Sequence, residues 1–341
     1  MTQQFASDNI SGICPQAMQT MVSANSDHVS SYGEDRYTAE ACEQFRTLFD
    51  TDCDVYFVFN GTAANALALA SLCQSYHSII CHQSAHVETD ECGAPEFFTH
   101  GAKLLQARGE LGKLNPQSIE ALVHKRQDIH YPKPKVVSLT QTTECGTIYS
   151  PEQLHAIQQA AAKHQLYTHM DGARFANAVA SLDVAPADIT WRAGVDVLCF
   201  GGSKNGLAIG EAVIFFNKQL SEEFAYRCKQ AGQLASKMRF MSSQWQGLLT
   251  NDVWLHNAKH ANAMAARLAQ GLASIEQLEI LFPVEANGVF VQMPSAVKQA
   301  MHSKGWQFYD FIGAGSRLMC SWDTQPETVD AFLADLQQLS R

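Results

Sequence analysis

A lysine enclosed by glycines is the residue of this sequence that most suggests chemistry. Lys204 follows an apolar run at 195–200 and lies within the segment FGGSKNG at 200–206. Ligands bind at the carboxyl edge of a parallel sheet, and glycines there let backbone and ligand approach closely. A lysine amine in this place can form a Schiff base if its surroundings keep it partly neutral. A solvated lysine in a glycine-rich turn explains the segment alone equally well.

An aspartate at the end of another predicted strand favours the covalent interpretation of Lys204. Asp171 follows the run 166–170 and opens the sequence DGAR, 33 residues before Lys204. One strand–helix–strand excursion separates the two residues, so both are expected at the same sheet edge. Pyridoxal phosphate needs such a pair, because a lysine holds its aldehyde as an imine and a carboxylate keeps its ring nitrogen protonated. Capping a helix is the alternative, or additional, role of Asp171.

The segment FNGTAAN at 59–65 predicts a phosphate site. It follows a predicted strand and opens a helix, where exposed N–H groups and the helix dipole favour an anion, and the Thr62 hydroxyl adds a donor. Many strand–helix turns contain Gly-Thr, so Gly61 and Thr62 are weak indications alone. The order of phosphate loop, histidine segment, aspartate and lysine is far more specific than any one segment.

The histidine segment CHQSAHVE at 81–88 allows more than one interpretation. His86 can stack on a ring or act as a general base. Alternatively, Cys81, His82 and His86 are the ligands of a metal-dependent hydrolase, or the two histidines are merely structural. Two histidines four residues apart share a face only on a helix, this segment directly follows a strand, and HExxH is absent. We therefore expect no metal.

An arginine near the carboxyl end can bind a carboxylate. Arg317 lies among small residues in GAGSRL at 313–318, at the start of a predicted strand. A guanidinium in such a place can grip a carboxylate with two parallel N–H groups. A surface salt bridge is the more common alternative for an arginine.

The elements that must position these residues alternate between strand and helix over 55–216. Apolar runs predict strands at 54–59, 78–81, 135–140, 166–170, 195–200 and 211–216. Helices are predicted at 62–73, after the N-cap Asn115, and after the capping box at 150–153. This alternation predicts an α/β fold with a mostly parallel central sheet between layers of helices.

The carboxyl-terminal part lacks that alternation. A helix is predicted at 257–275, strands at 288–292 and 317–321, and a last helix from the capping box at 324–327. The chain between, at 218–255, is expected to be helical. We predict an amino-terminal arm over 1–20, a large cofactor-binding domain over 21–249 and a small α+β domain over 250–341.

Composition excludes several classes of protein. The 341 residues carry a formal net charge of −10, which argues against a nucleic-acid partner. A share of 46% apolar and 17% charged residues argues against disorder. No apolar run approaches the roughly 18 residues needed to span a bilayer. Ten cysteines without a CxxC pair are typical of the reduced thiols of a cytoplasmic protein.

In their order, these segments resemble the threonine aldolases and related β-eliminating lyases. Those are pyridoxal-phosphate enzymes of the aspartate-aminotransferase fold, or fold type I. The matching pieces are SDN at 7–9, YGED at 32–35, GTAAN at 61–65, AH at 85–86, DGAR at 171–174, GGSK at 201–204, MR at 238–239 and SR at 316–317. They span most of the chain.

The resemblance implies which residues hold pyridoxal 5'-phosphate. Lys204 would bind its aldehyde, Asp171 would face the ring nitrogen and His86 would stack on the ring. The phosphate would be held by Gly61 and Thr62, with help from Arg239 of a neighbouring subunit.

The resemblance also implies the substrate contacts. Ser7 and Arg317 would hold the carboxylate of a β-hydroxy-α-amino acid, and Arg174 would lie near that carboxylate or the ring hydroxyl. His86 would stand near the substrate hydroxyl as its base, directly or through water. Tyr32 would reach a site across a dimer interface, in a homo-oligomer that is expected to be a tetramer.

The implied reaction is cleavage of L-threonine, L-allo-threonine or phenylserine-type substrates to glycine and an aldehyde. Two departures leave the substrate side chain open: TTE at 142–144, where many members have Thr-His-Asn, and Asn205, where many have glycine. Another β-eliminating lyase, a racemase or a desulfurase of the same fold remains an alternative, as does the metal-dependent hydrolase.

Overall fold

The computed structural model describes residues 3–311 and 315–339. Within them, the strands of the larger sheet are β1 Asp54–Val58, β2 His77–His82, β3 Lys103–Ala107, β4 Lys133–Thr140, β5 Tyr167–Gly172, β6 Val197–Phe200 and β7 Glu211–Phe215. Their spatial order is β1-β7-β6-β5-β4-β2-β3. Strand β7 is antiparallel to both of its neighbours, and the other neighbouring pairs are parallel. The predicted α/β fold with a mostly parallel sheet is confirmed, and β3 is a strand that the sequence patterns missed.

The helices connect and cover these strands. They are α1 Pro15–Ser23, α2 Arg36–Phe49, α3 Gly61–Leu72, α4 His86–Thr89, α5 Ala94–Phe98, α6 Pro116–Val123, α7 Pro151–Lys163, α8 Phe175–Leu182, α9 Phe224–Gln230, α10 Arg239–Leu249, α11 Val253–Leu272, α12 Ser295–Ser303 and α13 Pro326–Leu339. Two predicted helix starts are confirmed. The Asn115 side chain accepts from the N–H of Ser118, and the Ser150 hydroxyl accepts from the N–H of Gln153.

The central sheet is buried on both faces. Neighbouring residues of one strand enter different apolar cores: Val137 packs with one layer of helices and Val136 with the other. Ile80 and Ile79 on β2 divide in the same way. Strands of a parallel sheet covered on both sides are expected to be continuously apolar, which is why these strands could be read from unbroken apolar runs.

A second antiparallel sheet lies in the carboxyl-terminal part. Its strands are β8 Glu279–Ile280, β9 Gly288–Gln292, β10 Tyr309–Asp310 and β11 Ser316–Met319, in the order β10-β11-β9-β8. This sheet has a core of its own, which Phe5 joins from the other end of the chain. The N–H of Phe5 donates to the carbonyl of Gln307, and the N–H of Met319 donates to the carbonyl of Phe5. The amino-terminal segment is thereby fixed beside β11.

Helix α11 connects the two cores. Trp254 and Ala258 in its first half belong to a core of the larger sheet, whereas Ala265 and Leu268 belong to the core of the smaller one. The domain boundary predicted at 249–250 falls close to the start of this shared helix. The division into arm, large domain and small domain stays a prediction.

The start of the last helix differs from its prediction. Helix α13 begins at Pro326, and the Thr324 hydroxyl accepts from the N–H of Ser321 at 2.8 Å. The preceding turn therefore uses the hydroxyl that was expected to cap the helix. The small residues Gly313 and Ala314, part of the predicted arginine motif, lie outside the described residues.

The ten cysteines are free thiols, and eight of them are buried. This agrees with the expected reduced state. Within the described ranges, no helix has the length and apolar character needed to cross a membrane.

Candidate active site

The carboxyl ends of three parallel strands form the floor of a cavity. In the sheet register, Asp171 on β5 is paired with Thr140 on β4 and with Cys199 on β6. The cavity above them has a volume of about 490 Å³. Seven residues predicted from the sequence line it: Ser7, Gly61, His86, Asp171, Arg174, Lys204 and Arg317. A smaller cavity of about 260 Å³ lies at the start of α3 and adds Thr62; it shares Gly61, Asp171 and Lys204 with the first.

The glycines before Lys204 are required by close packing. A Cβ atom on Gly201 would lie 2.3 Å from the carbonyl oxygen of Ala173, and one on Gly202 would lie 2.6 Å from the Trp245 ring. No other residue fits such approaches. The end of β6 can therefore pass directly against the end of β5, which brings Lys204 into the same cavity as Asp171.

The environment of Lys204 lowers the pKa of its amine. Burial lowers the pKa of Lys204, and the positive charge of Arg174 lowers it further. The carboxylates of Asp8, Asp171 and Glu211 act in the opposite direction without outweighing burial. This is the condition that imine formation by a lysine requires.

Both carboxylate oxygens of Asp171 are engaged by N–H donors. Asn65 Nδ2 donates to Oδ2 at 2.9 Å, and the N–H of Ala173 donates to Oδ1 at 3.0 Å. The alternative role as a helix cap is not realised, because α8 begins at Phe175 with Arg174 as its N-cap. Asp171 is instead a buried carboxylate held in one orientation on the cavity floor.

A second carboxylate controls the imidazole of His86. His86 Nδ1 lies 2.8 Å from Oε1 of Glu91, an oxygen that also accepts from Asn65 Nδ2 at 2.8 Å. Because a carboxylate oxygen accepts, Nδ1 carries the hydrogen. The hydrogen bond that His86 donates to Glu91 raises the pKa of His86 against the opposing effect of burial. Asn65 thus joins the His86–Glu91 pair to Asp171 in one network.

The set Cys81, His82 and His86 is not brought together as a metal site. Cys81 lies in an apolar core, and burial raises its pKa to about 12. The His82 ring contacts the Ser84 hydroxyl at 2.7 Å and the Gly109 carbonyl at 3.0 Å. In the described part of the chain, the potential ligand atoms that do approach within 4.8 Å belong to His86, Glu91 and Asp171. The hydrogen bonds of His86 and Asn65 account for that proximity.

Arg174 forms a two-pronged pair with a carboxylate from the amino-terminal segment. Its Nε and Nη2 donate to the two oxygens of Asp8 at 2.7 and 2.8 Å, and Asn287 Nδ2 donates to Asp8 at 3.0 Å. Burial alone would raise the pKa of Asp8, but Arg174 outweighs it and the pKa is lowered. Asp8 therefore remains a charged partner that fixes the Arg174 side chain.

Arg317 is less satisfied than Arg174. Its Nε is buried without a hydrogen-bond partner in the described residues, and its Nη2 makes only a long contact of 3.4 Å with the carbonyl of Ala6. Burial lowers the pKa of Arg317, and Arg174 adds to this effect. Ser7 lines the same cavity, so a guanidinium and a hydroxyl are available there to an acidic ligand.

Two predicted residues lie away from both cavities within a single chain. The Tyr32 ring packs under Lys229, whose Nζ is 4.4 Å from the ring centroid. Arg239 donates to the carbonyls of Ser26 and Asp27 at 3.2 Å. Both residues were expected to act across a subunit interface, and their roles stay predictions.

Sequence reasoning gave no role to four polar residues of this site. Asp8, Asn65 and Glu91 hold predicted residues in place, and Glu144 accepts from the N–H of His86 at 2.8 Å. Asp8 and Asn65 were inside matched motifs, beside Ser7 and one helical turn beyond Gly61. Their importance rests on contacts across more than a hundred residues of chain, which spacing does not reveal.

This fold and site define a class of enzyme. The chain belongs to the beta-eliminating lyase family, whose sequence model matches residues 4–296. It therefore belongs to a family of lyases, and the resemblance found in the motifs is confirmed.

Similar proteins narrow the class further. The chain is 60% identical to a low-specificity L-threonine aldolase of Pseudomonas sp. (strain NCIMB 10558), over 98% of this chain and 97% of that protein. It is 59% identical, with the same coverage, to the protein of that name from Pseudomonas aeruginosa. The solved structure of a Leishmania major threonine aldolase is 29% identical, covers 99% of both chains and superimposes with a TM-score of 0.93.

Proposed function

We propose that this chain cleaves L-threonine and related β-hydroxy-α-amino acids to glycine and an aldehyde, with pyridoxal 5'-phosphate bound at Lys204. The observation that carries the proposal is one cavity that holds a lysine with a lowered pKa, a buried aspartate and an arginine with an unpartnered Nε. Relatives at about 60% identity that are named L-threonine aldolases support it.

The residues of the two cavities fit pyridoxal phosphate. Lys204 provides an amine for the aldehyde, and the fixed carboxylate of Asp171 suits a protonated ring nitrogen. His86 lines the same cavity and would cover the ring. Gly61 and Thr62 stand at the start of α3, where a twelve-residue helix favours a phosphate. When bound there, the cofactor supplies an electron sink for the electron pair of the broken Cα–Cβ bond.

The chain's own residues would set which bond of the substrate breaks. Arg317 and Ser7 bind the substrate carboxylate at one end of the cavity, while Asp8 fixes Arg174 beside them. The substrate carboxylate is held at one point and its amino group at the position of Lys204. The side chain on Cα then has one orientation left. Such positioning directs the reaction to one bond of the substrate.

The preference for a substrate side chain belongs to the same proposal. The segment 142–144 differs from the pattern common in the family, so phenylserine and L-allo-threonine stand beside L-threonine as substrates. The site shared between two subunits, a tetrameric assembly and a cytoplasmic location are further parts of the proposal. Arg239 and Tyr32 support a shared site, because neither reaches the cavity of its own chain.

The experiment that tests this function is product analysis with three substrates. Purified protein with added pyridoxal phosphate is incubated with L-threonine, L-allo-threonine and L-phenylserine, and aldehyde and glycine are measured. Formation of both from at least one substrate is expected. A keto acid, a D-amino acid or sulfide from suitable substrates would instead indicate a β-eliminating lyase, a racemase or a desulfurase. Activity that is lost with a chelator and insensitive to hydroxylamine would indicate the metal-dependent hydrolase.

A further inference from the structure

Glu144 lies on a loop that is held firmly at the rim of the cavity floor. The loop leaves the end of β4, and Gln141 closes it by a pair of hydrogen bonds with the backbone of Tyr149. The hydroxyls of Thr143 and Thr147 both donate to the carbonyl of Leu111, at 3.1 and 2.7 Å. The Glu144 side chain therefore starts from a fixed backbone and lines the cavity.

The two carboxyl oxygens of Glu144 have different surroundings. Oε1 accepts from the N–H of His86 at 2.8 Å, which fixes the orientation of the group. Oε2 is buried and makes no hydrogen bond of ordinary geometry in the described residues, although the Thr140 hydroxyl lies close enough to the carboxyl to lower its pKa. A buried carboxyl oxygen without a donor is costly, so a donor from a ligand in the cavity is the natural partner for Oε2.

Two other polar groups on this side of the cavity are already engaged. The Thr143 hydroxyl donates to the carbonyl of Leu111, and His86 Nδ1 donates to Glu91. Because Nδ1 carries the hydrogen of that bond, it cannot take up the proton of a substrate hydroxyl. Glu144 is a buried carboxyl that lines the cavity and keeps one oxygen free for a substrate donor.

We infer that Glu144 accepts the proton of the substrate's β-hydroxyl group during cleavage, and this inference rests on the proposed function. The O–H bond breaks and its proton passes to Oε2 of Glu144. The electron pair of that bond forms the second carbon–oxygen bond of the aldehyde as the Cα–Cβ bond breaks. The pair released from Cα–Cβ stays with the glycine fragment, whose Cα then takes up one proton, so that protons and electrons balance.

The electrostatic surroundings suit a proton acceptor that works near neutral pH. Burial raises the pKa of Glu144 to about 7, the negative charge of Asp171 adds to the rise, and hydrogen bonding from His86 and Thr140 opposes it. Other titratable groups around the carboxyl are Arg174 at the start of α8, Cys81 on β2, and Cys145 and Tyr149 in its own loop. A base whose pKa is near the working pH transfers protons most effectively.

The test compares the wild-type holoenzyme with Glu144→Gln. Glutamine can still accept from the His86 N–H, but it cannot take up a proton. We expect kcat for L-threonine cleavage to fall about a hundredfold or more. The acidic limb of the wild-type rate profile, near pH 7, should disappear in the variant.

Glycine separates a proton-transfer role from a structural one, because it has no β-hydroxyl group. Exchange of its α-hydrogen with D₂O, followed by NMR, should remain within about threefold of wild type in the variant, on the scale of general-base effects. Equal losses of cleavage and glycine exchange would show that Glu144 only shapes the site and would overturn the inference. Cleavage at the wild-type rate would overturn it as well.

Glu285→Gln is the matched control. Glu285 also accepts a backbone N–H near this loop, from Ile148 at 2.6 Å, but it does not line the main cavity. This variant should keep both wild-type cleavage and the acidic limb, and a loss equal to that of Glu144→Gln would refute a specific role for Glu144.

Thermal unfolding of the cofactor-free proteins gives a readout that does not depend on activity. Because the folded protein raises the pKa of Glu144, the wild type loses stability relative to Glu144→Gln as the pH rises through about 7. The variant's advantage in Tm should therefore grow as the pH rises from about 5 to about 7 and then level off. A pH-independent difference would count against the assigned carboxyl. If wild-type protein cleaves none of the three substrates, the proposed function fails and the inference fails with it.

Discussion

The floor of the cavity and its substrate side are built differently. On the floor, both oxygens of Asp171 accept hydrogen bonds from within the chain, and Asn65 links Asp171 to Glu91. Asn65 Oδ1 and Glu91 Oε2 have no partner among the described residues. On the substrate side, Arg317 Nε and Glu144 Oε2 are buried without partners in the described residues. Buried polar groups are nearly always paired in folded proteins. The carboxylate of Asp171 is thus held in one orientation by the chain itself, whereas Arg317 and Glu144 keep polar atoms free for a ligand that enters the cavity.

Replacing Lys204 should abolish both cofactor attachment and cleavage at the cavity floor. We expect Lys204→Ala to lose the visible absorbance of bound cofactor and to reduce cleavage by about 10⁴-fold or more, because the covalent attachment is gone. Spectroscopy and an aldehyde assay check both effects. The exposed Lys163, paired with Glu120, provides the control Lys163→Ala, which should match wild type. Undiminished activity of Lys204→Ala would exclude the assigned attachment.

The buried Asp8–Arg174 pair should matter to stability far more than an exposed pair. Asp8→Asn leaves the Arg174 charge without its partner, and removing one member of a buried pair costs about 3–5 kcal/mol. Asp330→Asn removes the exposed partner of Arg267 and should cost far less, because water and salt screen an exposed pair. Urea unfolding of the two variants measures the contrast. Similar losses of unfolding free energy in the two variants would show that Asp8 does not fix Arg174 as described.

Truncating Arg317 should affect substrate binding while leaving the floor intact. Loss of a charged hydrogen-bond donor to a carboxylate costs about 1.5–3 kcal/mol. We therefore expect Arg317→Ala to raise KM for L-threonine by about 10–150-fold. The absorbance of bound cofactor should stay the same. An Arg317→Ala variant with an unchanged KM and no bound cofactor would show that Arg317 holds the cofactor and not the substrate.

The smallest expected effect concerns the imidazole of His86. Since the hydrogen bond that His86 donates to Glu91 raises the pKa of His86, Glu91→Gln should lower that pKa. His86 would then lose its proton at lower pH than in the wild type. Titration of its ring resonances by NMR measures the shift. An unchanged or increased pKa would contradict the assigned hydrogen bond.

Features set by local contacts could be predicted from the sequence. The caps at Asn115 and Ser150 depend on residues three positions away, and the buried strands follow from continuous apolar runs. The sequence order of Gly61, His86, Asp171 and Lys204 predicted that these residues meet at one cavity. The reason is that parallel strands end at a common edge of the sheet. Thr324 shows the limit of such local prediction, since a competing turn takes its hydroxyl.

The remaining parts of the site depend on contacts that the sequence does not encode locally. Asp8 meets Arg174 across 166 positions, and it is placed there by the pairing of Phe5 with the small sheet. Glu144 owes its role to burial and to the backbone of His86, 58 positions away. In the sequence it was visible only as a departure from the family's common pattern, without an indication of what replaces the expected histidine.

The central claim is that Lys204 and Asp171 support cleavage of a β-hydroxy-α-amino acid between Cα and Cβ. The most direct measurement is the stoichiometry of products when the protein loaded with pyridoxal phosphate consumes L-threonine. We predict one glycine and one acetaldehyde for each threonine consumed, with no ammonia. Release of ammonia and a keto acid without glycine, or no consumption of any β-hydroxy-α-amino acid, would contradict the account.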